Sequence, residues 1–305
     1  MCILGAPREH VRGDARGDSF ERLRLEGTYE RSTQRLTLTG DLAGLGLDET
    51  LTKRVPSEYQ EWCERIRLSG GVLDVSLKKL VHDPGADMPW RYELTGHVQN
   101  VTLNSPELPF PISELHGSIW AGDGVLSVTR LEGIHGKTTV RTWGTFDLED
   151  LASGPMDLNV DVIDLDLDAR LRDWSPPSAP ANVMLMLREM WDQYQPKGRL
   201  SLALHAARER QGGPVGFGLG VDSRDIGLRY HLFPYQLEHV SGTLSYAAPR
   251  ITLDMHTLIG GKPAWGRGTI DHPGPAAEVR LAFGAEALPV DKTLALGAQP
   301  DQSGI

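Results

Sequence analysis

Three carboxylates recur at alternate positions near the middle of the chain. Asp164, Asp166 and Asp168 are spaced by two residues, so on a β-strand they would share one face. Clustered carboxylate oxygens bind hard cations such as Ca²⁺, but this run lacks the glycine and the distal glutamate of a calcium loop. We therefore expect these aspartates to form a solvated strand face that discourages pairing at a sheet edge.

Other residue types with chemical potential do not form a recognisable catalytic or cofactor-binding pattern. The ten histidines are scattered without metal-ligand spacing, and two cysteines, Cys2 and Cys63, are too few for a disulfide framework. Because no CxxC or Cys/His cluster exists, a structural zinc site is not expected. The glycines at 216, 218 and 220 lie in a β-like context, which favours a flat strand over a dinucleotide-binding turn. The sequence predicts a protein that is not an enzyme, with no cofactor and no metal.

Composition and charge exclude several classes of partner. The chain has 305 residues, with 31 Lys+Arg against 41 Asp+Glu, and the net charge of −10 argues against nucleic acid as a partner. An apolar fraction of 40% is enough for a packed core, and 34 glycines with 20 prolines predict frequent turns. No segment approaches the ~18–20 consecutive apolar residues of a membrane-spanning helix, and the first eight residues lack the features of a signal peptide.

The elements that position these residues follow an internal repeat. A Leu-x-(Leu/Val)-Asp-x-x-Leu motif ends at Leu51, Leu171 and Leu294, with spacings of 120 and 123 residues. Residues 108–117 align with 233–242 without a gap, at an offset of 125. A fixed period of this kind indicates a repeat protein. The expected division is the end of a truncated first unit (1–51), a second unit (52–171), a third unit (172–296) and a tail (297–305).

Within each unit the pattern is mostly that of β-strands. Residues 36–39, 125–131, 158–162, 200–204 and 251–255 largely alternate apolar with polar or small side chains. Period two puts one row of side chains on each face, which is typical of an antiparallel sheet with one apolar and one wet face. Residues 56–66 and 181–195 carry helix signals instead, and both follow the repeated aspartate motif. The sequence predicts an all-β protein with short helices at the unit junctions.

These landmarks resemble the AsmA/TamB-like group of bacterial envelope proteins, in particular the AsmA-like C-terminal region. One set comprises 108–117, 124–128, 136–137 and 144–147, and the second comprises 233–242, 250–254, 260–262 and 268–271. The resemblance covers most of residues 20–296. It implies repeated antiparallel β-sheet units curled into an elongated groove with an apolar interior.

The resemblance also implies a non-catalytic role in phospholipid movement and outer-membrane assembly, located in the periplasm or cell envelope. The partners it implies are phospholipid acyl chains, other envelope proteins and flanking parts of a longer chain. Exposing an acyl chain to water costs about 0.8 kcal/mol per CH₂, or roughly 12 kcal/mol for a chain of sixteen carbons. Alternating strands side by side offset that with continuous apolar surface.

The candidate residues of such a groove come from the alternating strands. They are Leu126, Val128, Leu158, Val160, Val162, Leu200, Leu202, Leu204, Ile251, Leu253 and Met255. The same rows would also fit the core of a closed β-sandwich scaffold that binds other envelope proteins, and periodicity does not separate the two architectures. Four tryptophans are expected as core anchors rather than acyl-chain contacts: Trp120, Trp143, Trp191 and Trp265.

Overall fold

The computed structural model describes residues 8–48, 51, 60, 63, 65–177, 181–229, 236–273 and 277–286. The first strands are β1 (Arg8–Gly17), β2 (Phe20–Glu30), β3 (Arg35–Gly46), β4 (Leu68–Ser69), β5 (Val72–His82), β6 (Trp90–Leu103), β7 (Ile112–Gly122) and β8 (Val125–His135). They continue as β9 (Thr138–Asp147), β10 (Met156–Asp166), β11 (Lys197–Arg208), β12 (Gly216–Leu228), β13 (Leu237–Ala247), β14 (Arg250–Ile259), β15 (Lys262–Asp271) and β16 (Glu278–Ala285). Two helices, α1 (Ala169–Asp173) and α2 (Ala181–Tyr194), lie between β10 and β11.

All sixteen strands belong to one antiparallel sheet, whose order in space follows the order in sequence. The short β4 departs from this order, because it pairs with β6 beside β5. Within the described residues β1 pairs only with β2 and β16 only with β15, so the sheet is open at both edges. The predicted all-β antiparallel class is confirmed. The described strands form one hydrogen-bonded sheet rather than the two separate sheets of a sandwich, and the scaffold alternative stays a hypothesis.

The alternating segments of the sequence lie inside strands, as predicted. In β14, Ile251, Leu253 and Met255 are half-buried, whereas Thr252 and Asp254 between them are exposed. The glycines at 216, 218 and 220 lie in a strand, Gly216–Leu228, which confirms the β-context expected there. The helix signal at 181–195 corresponds to α2, and the helix expected at 56–66 lies largely outside the described residues.

The strands are connected at two ends of the sheet that differ in character. At one end, which we call the turn end, short connections such as 123–124 and 248–249 join neighbouring strands. At the other, the helix end, lie α1, α2 and the longer loop 104–111. Two-residue turns at 136–137 and 260–261 also lie at the helix end, and the longer loops 148–155 and 209–215 lie at the turn end, so the two helices are what distinguish the helix end.

Bulges and glycine kinks recur at equivalent positions and bend the sheet. The pairing register shifts around Glu114 in β7 and around His239 in β13, and both residues have a left-handed φ, 53° and 51°. Gly117 and Gly242, three residues further on, have φ of 149° and 133°. A Cβ at either glycine would overlap a backbone carbonyl oxygen of the next strand. Because bulges and glycine kinks curve a sheet, the second and third units bend at matching places, and the boundaries assigned to the units stay a prediction.

The buried core of the protein lies at the helix end of the sheet. It is formed by Leu47, Val101, Ile112, Leu115 and Val140. Leu108 and Phe110 of the loop 104–111 pack against this cluster. The ring of Phe110 stacks on His135 at a centroid distance of 4.3 Å, and His135 Nδ1 lies 3.0 Å from the Pro111 carbonyl oxygen. The loop therefore folds over one face of the sheet and closes that face at the helix end.

Polar contacts hold the two helices together. The Asp168 carboxylate caps α1 by accepting hydrogen bonds from the backbone N–H groups of Arg170 and Leu171. Arg172 of α1 donates two hydrogen bonds to Asp192 of α2, at 2.7 and 3.0 Å. The prediction that Asp164, Asp166 and Asp168 share a strand face is wrong for Asp168, because β10 ends at Asp166 and Asp168 begins a helix.

Candidate functional site

The eleven groove candidates all lie on the same face of the sheet. Antiparallel partners directly opposite each other point to the same side, so the register carries a face from strand to strand. Val160 of β10 is opposite Leu204 of β11, and Leu204 is opposite Leu219 of β12. The pairing continues through Tyr246 to Ile251 of β14. We call this side the apolar face and the opposite side the polar face.

Rows of uncharged side chains cross the apolar face from strand to strand. The central row passes through thirteen strands, in the order Leu45, Leu73, Val98, Gly117, Leu131, Thr142, Val160, Leu204, Leu219, Tyr246, Ile251, Ile270 and Val279. No member of this row is charged at neutral pH. A path perpendicular to the strands can therefore run across the third unit and most of the second without meeting a charge.

The two rows beside the central row have the same character. The row toward the turn end contains Ala15, Leu23, Leu42, Val75, Gly96, Ile119, Val128, Gly144, Leu158, Ala206 and Phe217. The row toward the helix end contains Val162, Leu202, Val221, Leu244, Leu253, Gly268 and Leu281. The three rows together form an apolar band several side chains wide.

The apolar band is half-buried along its length. All eleven candidate residues have intermediate exposure, and none belongs to the buried core. No second layer of the described strands covers them, and polar-face neighbours such as Ser127 and Asn159 are half-buried as well, so contacts within the sheet account for this partial burial. Val160 and Val162 differ from the others, since they pack against the core cluster at the helix end. At the far edge, Val279 and Phe283 are 56% and 74% exposed, so the band is open there.

The polar face carries charged and aromatic side chains, including three of the four tryptophans. Trp120, Trp143 and Trp265 occupy outward register positions, opposite Ser127, Asn159 and His256. The expectation that the tryptophans anchor the core is wrong, because these three and Trp191 are all half-buried or exposed. The rings of Trp120 and Trp265 instead lie over Gly122 and Gly284, whose missing side chains make room for them.

Two clefts at the turn end occupy equivalent positions in the second and third units. Their volumes are about 460 Å³, beside Asp147, and about 530 Å³, beside Asp271. Arg250 donates a hydrogen bond of 2.5 Å to Asp271, and Arg280 lies 3.8 Å away. The hydrogen bond from Arg250 lowers the pKa of Asp271 from its ordinary value. The carboxylate therefore stays ionised and paired with its arginines. It stabilises the turn and is not a proton donor.

Neither metal ligation nor a membrane-spanning helix emerges from the described part of the chain. Within it, no group of three or more His, Cys, Asp or Glu side chains is arranged to hold a metal ion. Its helices are too short or too polar to cross a membrane. Comparison of the chain with protein-family models, with curated proteins and with solved structures finds no match. The AsmA/TamB-like resemblance therefore rests on the sequence landmarks alone and stays an expectation.

Sequence reasoning missed many members of the apolar band. Ile119 and Leu219 lie outside the segments whose clear alternation predicts a strand. Tyr246, Ile270 and Leu281 are further members of the band outside those segments, on strands β13, β15 and β16. Alternation counted outward from the repeated glycines finds Ile119, Tyr246 and Ile270, since Gly117, Gly242 and Gly268 all lie on the apolar face of the same strands. Leu219 and Leu281 lie on strands without such a glycine.

Proposed function

We propose that this chain is a non-catalytic segment of a cell-envelope protein that holds or conducts phospholipid acyl chains along the apolar face. The observation that carries the proposal is the uncharged central row, which crosses thirteen strands without a covering layer beyond the helix end. A surface of this kind is larger than the scattered apolar side chains that a monomer normally exposes, and such surfaces are typical of ligand or partner binding.

The dimensions of the band suit acyl chains lying across the strands. One leaflet of a bilayer has a hydrocarbon thickness of about 15 Å, half of the ~30 Å core, and neighbouring strands are ~4.8 Å apart. One acyl chain would therefore cover about three strands, and the central row is long enough for several in succession. At about 0.8 kcal/mol per CH₂ kept from water, a chain gains more from continuous contact than from any single residue.

The resemblance to AsmA/TamB-like proteins supports a location in the periplasm or cell envelope and a role in lipid transport for outer-membrane assembly. In that setting, the partners besides acyl chains would be other envelope proteins or flanking parts of a longer chain. The proposal assigns no cofactor and no reaction, and it leaves the polar face and its ion pairs with a structural role.

The proposal is tested by adding charge to the apolar face and comparing lipid binding. The triple variant Val128→Asp, Leu204→Asp and Leu253→Asp places carboxylates in the three uncharged rows, away from the core cluster. The matched control is Ser127→Asp, Asn159→Asp and Thr252→Asp, which adds the same charge to the polar face. Each protein is examined by native mass spectrometry with lipid extraction, and by uptake of a fluorescent phospholipid.

We expect the unmodified chain and the polar-face control to retain phospholipid, and the apolar-face variant to lose it while keeping its circular dichroism spectrum. The proposal would be contradicted if the unmodified chain is folded and lipid-free and also fails to take up the fluorescent phospholipid. The apolar face would then belong to a scaffold whose band is covered by another envelope protein. Equal lipid binding by both variants would contradict it as well, because the lipid would then not lie on the apolar face.

A further inference from the structure

The two edge strands of the sheet differ in how they are protected against pairing. In β1, the polar-face positions are Arg8, His10, Arg12, Asp14 and Arg16, so almost every outward side chain is charged. Its apolar face offers only Val11 as a large apolar side chain, beside glycine, alanine and glutamate. Charged residues along an edge are a common way to prevent another chain from adding a strand. The charged side chains of β1 therefore disfavour the addition of another strand at this edge.

The opposite edge, β16, is less protected, because only Glu278 and Arg280 of its polar-face positions are charged. Its apolar-face residues Val279, Leu281 and Phe283 are 56%, 38% and 74% exposed. Its pairing with β15 runs through all eight residues without a register shift, so no bulge turns the edge away. The second half of the strand, 282–285, contains only alanine, phenylalanine and glycine. A flat, apolar edge of this kind favours the addition of another strand.

The backbone of β16 shows which residues would bond to an added strand. Glu286 N–H donates to the Pro263 carbonyl oxygen at 2.9 Å, so even-numbered residues point their backbone groups toward β15. The odd-numbered residues, from Val279 to Ala285, therefore point their N–H and C=O groups toward the side of β16 on which no described strand lies. The residues that offer free hydrogen bonds are the same ones that expose apolar side chains.

We propose that β16 pairs with β16 of a second copy of this chain, antiparallel about a two-fold axis at Leu281. In this register Leu281 faces its own copy and exchanges both backbone hydrogen bonds with it. Val279 faces Phe283 of the second copy, an aromatic and β-branched combination that stabilises cross-strand pairs. Arg280 faces Ala282 and Glu278 faces Gly284, so no like charges oppose each other.

Two copies of the chain pair better through β16 of each copy than through β16 of one copy and β1 of the other. Because neighbouring strands alternate in direction, β1 and β16 run the same way within the sheet, and joining them would make a parallel pair. That pair would also bring the charges of β1 against the apolar edge. The two-fold arrangement is antiparallel and uses one surface twice, as closed dimers do. It also joins the two apolar faces into one band on the same side.

The dimer is tested with matched edge variants. Leu281 and Val11 lie on the apolar face of the two edge strands and are similarly exposed, at 38% and 40%. Sedimentation velocity over a concentration series should show a dimer for the unmodified chain and for Val11→Lys, and a monomer for Leu281→Lys. A contact between single edge strands is small, so we expect dissociation on dilution into the low-micromolar range. Equal melting temperatures of the two variants exclude misfolding as the cause.

The register is tested by disulfide formation in a chain in which Cys2 and Cys63 are replaced by serine. Directly opposed, hydrogen-bonded residues have Cα atoms about 5.5 Å apart, within reach of a disulfide. Leu281→Cys should therefore give a covalent dimer under mild oxidation. Ala282→Cys should not, because two copies of position 282 would be diagonal neighbours about 7–8 Å apart and on the polar face.

Three outcomes would overturn the inference. They are a monomer at all concentrations, a dimer that Leu281→Lys does not weaken, and cross-linking at 282 without cross-linking at 281. Hydrogen exchange adds an independent reading, since the odd-numbered amides of β16 should become protected only at dimer-forming concentrations. Protection of these amides in the dilute monomer would mean that another part of the same chain covers the edge.

Discussion

Gly144 offers a direct test of the glycine kinks that bend the sheet. It lies on the apolar face of β9 with a φ of 157°, and a Cβ there would overlap the carbonyl oxygen of Asp157 in β10. Gly268, its counterpart in the third unit, has the same φ and the same kind of obstruction. The obstruction is backbone, so a side-chain rotation cannot relieve it, and the strands must separate.

The expected size of the effect follows from those two features. A residue with a side chain in a sparsely populated backbone region lowers the free energy of unfolding by about 1–3 kcal/mol. Because Gly144→Ala also forces paired strands apart, we expect a loss at the upper end, about 3 kcal/mol. For a chain of this size that corresponds to a melting temperature lower by roughly 5–10 °C. Gly220 is the matched control: it also lies inside a strand, and the nearest atoms to a Cβ there are 3.7 and 3.8 Å away.

Urea and thermal unfolding followed by circular dichroism measure both variants. We expect Gly220→Ala to match the unmodified chain or to be more stable by about 0.5–1 kcal/mol, because alanine loses less backbone entropy than glycine. Gly144→Ala should unfold at a lower urea concentration with a similar dependence on urea. If the two variants have the same midpoint, the kink at Gly144 does not require glycine and the account of the sheet's curvature is refuted.

Two further expectations concern the core and the turn-end ion pair. Leu115→Ala should lower the free energy of unfolding by about 2–5 kcal/mol, because Leu115 is 6% exposed in the core cluster. Leu253→Ala should cost less than half as much, because that side chain is half-buried on the open band, and urea midpoints that rank the two the other way would contradict an open face. The pKa of Asp271 is lowered from 3.8 by its hydrogen bond from Arg250, so the stability it contributes is present above that value and is lost as pH falls through the lowered one. The melting temperature of Asp271→Asn should therefore fall less between pH 7 and pH 3 than that of the unmodified chain. If both melting temperatures fall equally, this ion pair does not contribute to acid sensitivity.

Alternation predicted the strands because each residue's face depends only on its position along the strand. The segments around Leu158 and Ile251 alternate cleanly, and both proved to be strands with one apolar face. Alternation did not predict whether that face meets a second sheet, since a covered face and an open one have the same period. The strand order shows that the described strands form one sheet, and nothing in the local pattern encodes that order.

The tryptophans and the third aspartate differ from the prediction for another reason. Residue type predicts a core position for Trp143, yet its register position is opposite Asn159 on the polar face. Spacing predicts a strand position for Asp168, although it starts a helix. Bulges such as that at Glu114 shift the count within a strand, so faces cannot be followed through them by spacing alone. Register, which depends on the partner strand, supplied the missing information.

The order of the strands also has a consequence for how the chain acquires its structure. Each long strand lies beside the strand that precedes it in sequence, so nearly every pairing closes a short loop. Pairing between neighbours in sequence has a small loop-closure cost, and linear arrays behave as a series of coupled neighbours. The sheet can therefore grow one hairpin at a time as the polypeptide emerges, each new strand templated by the last. Interruptions would be local, and a damaged unit need not prevent its neighbours from assembling.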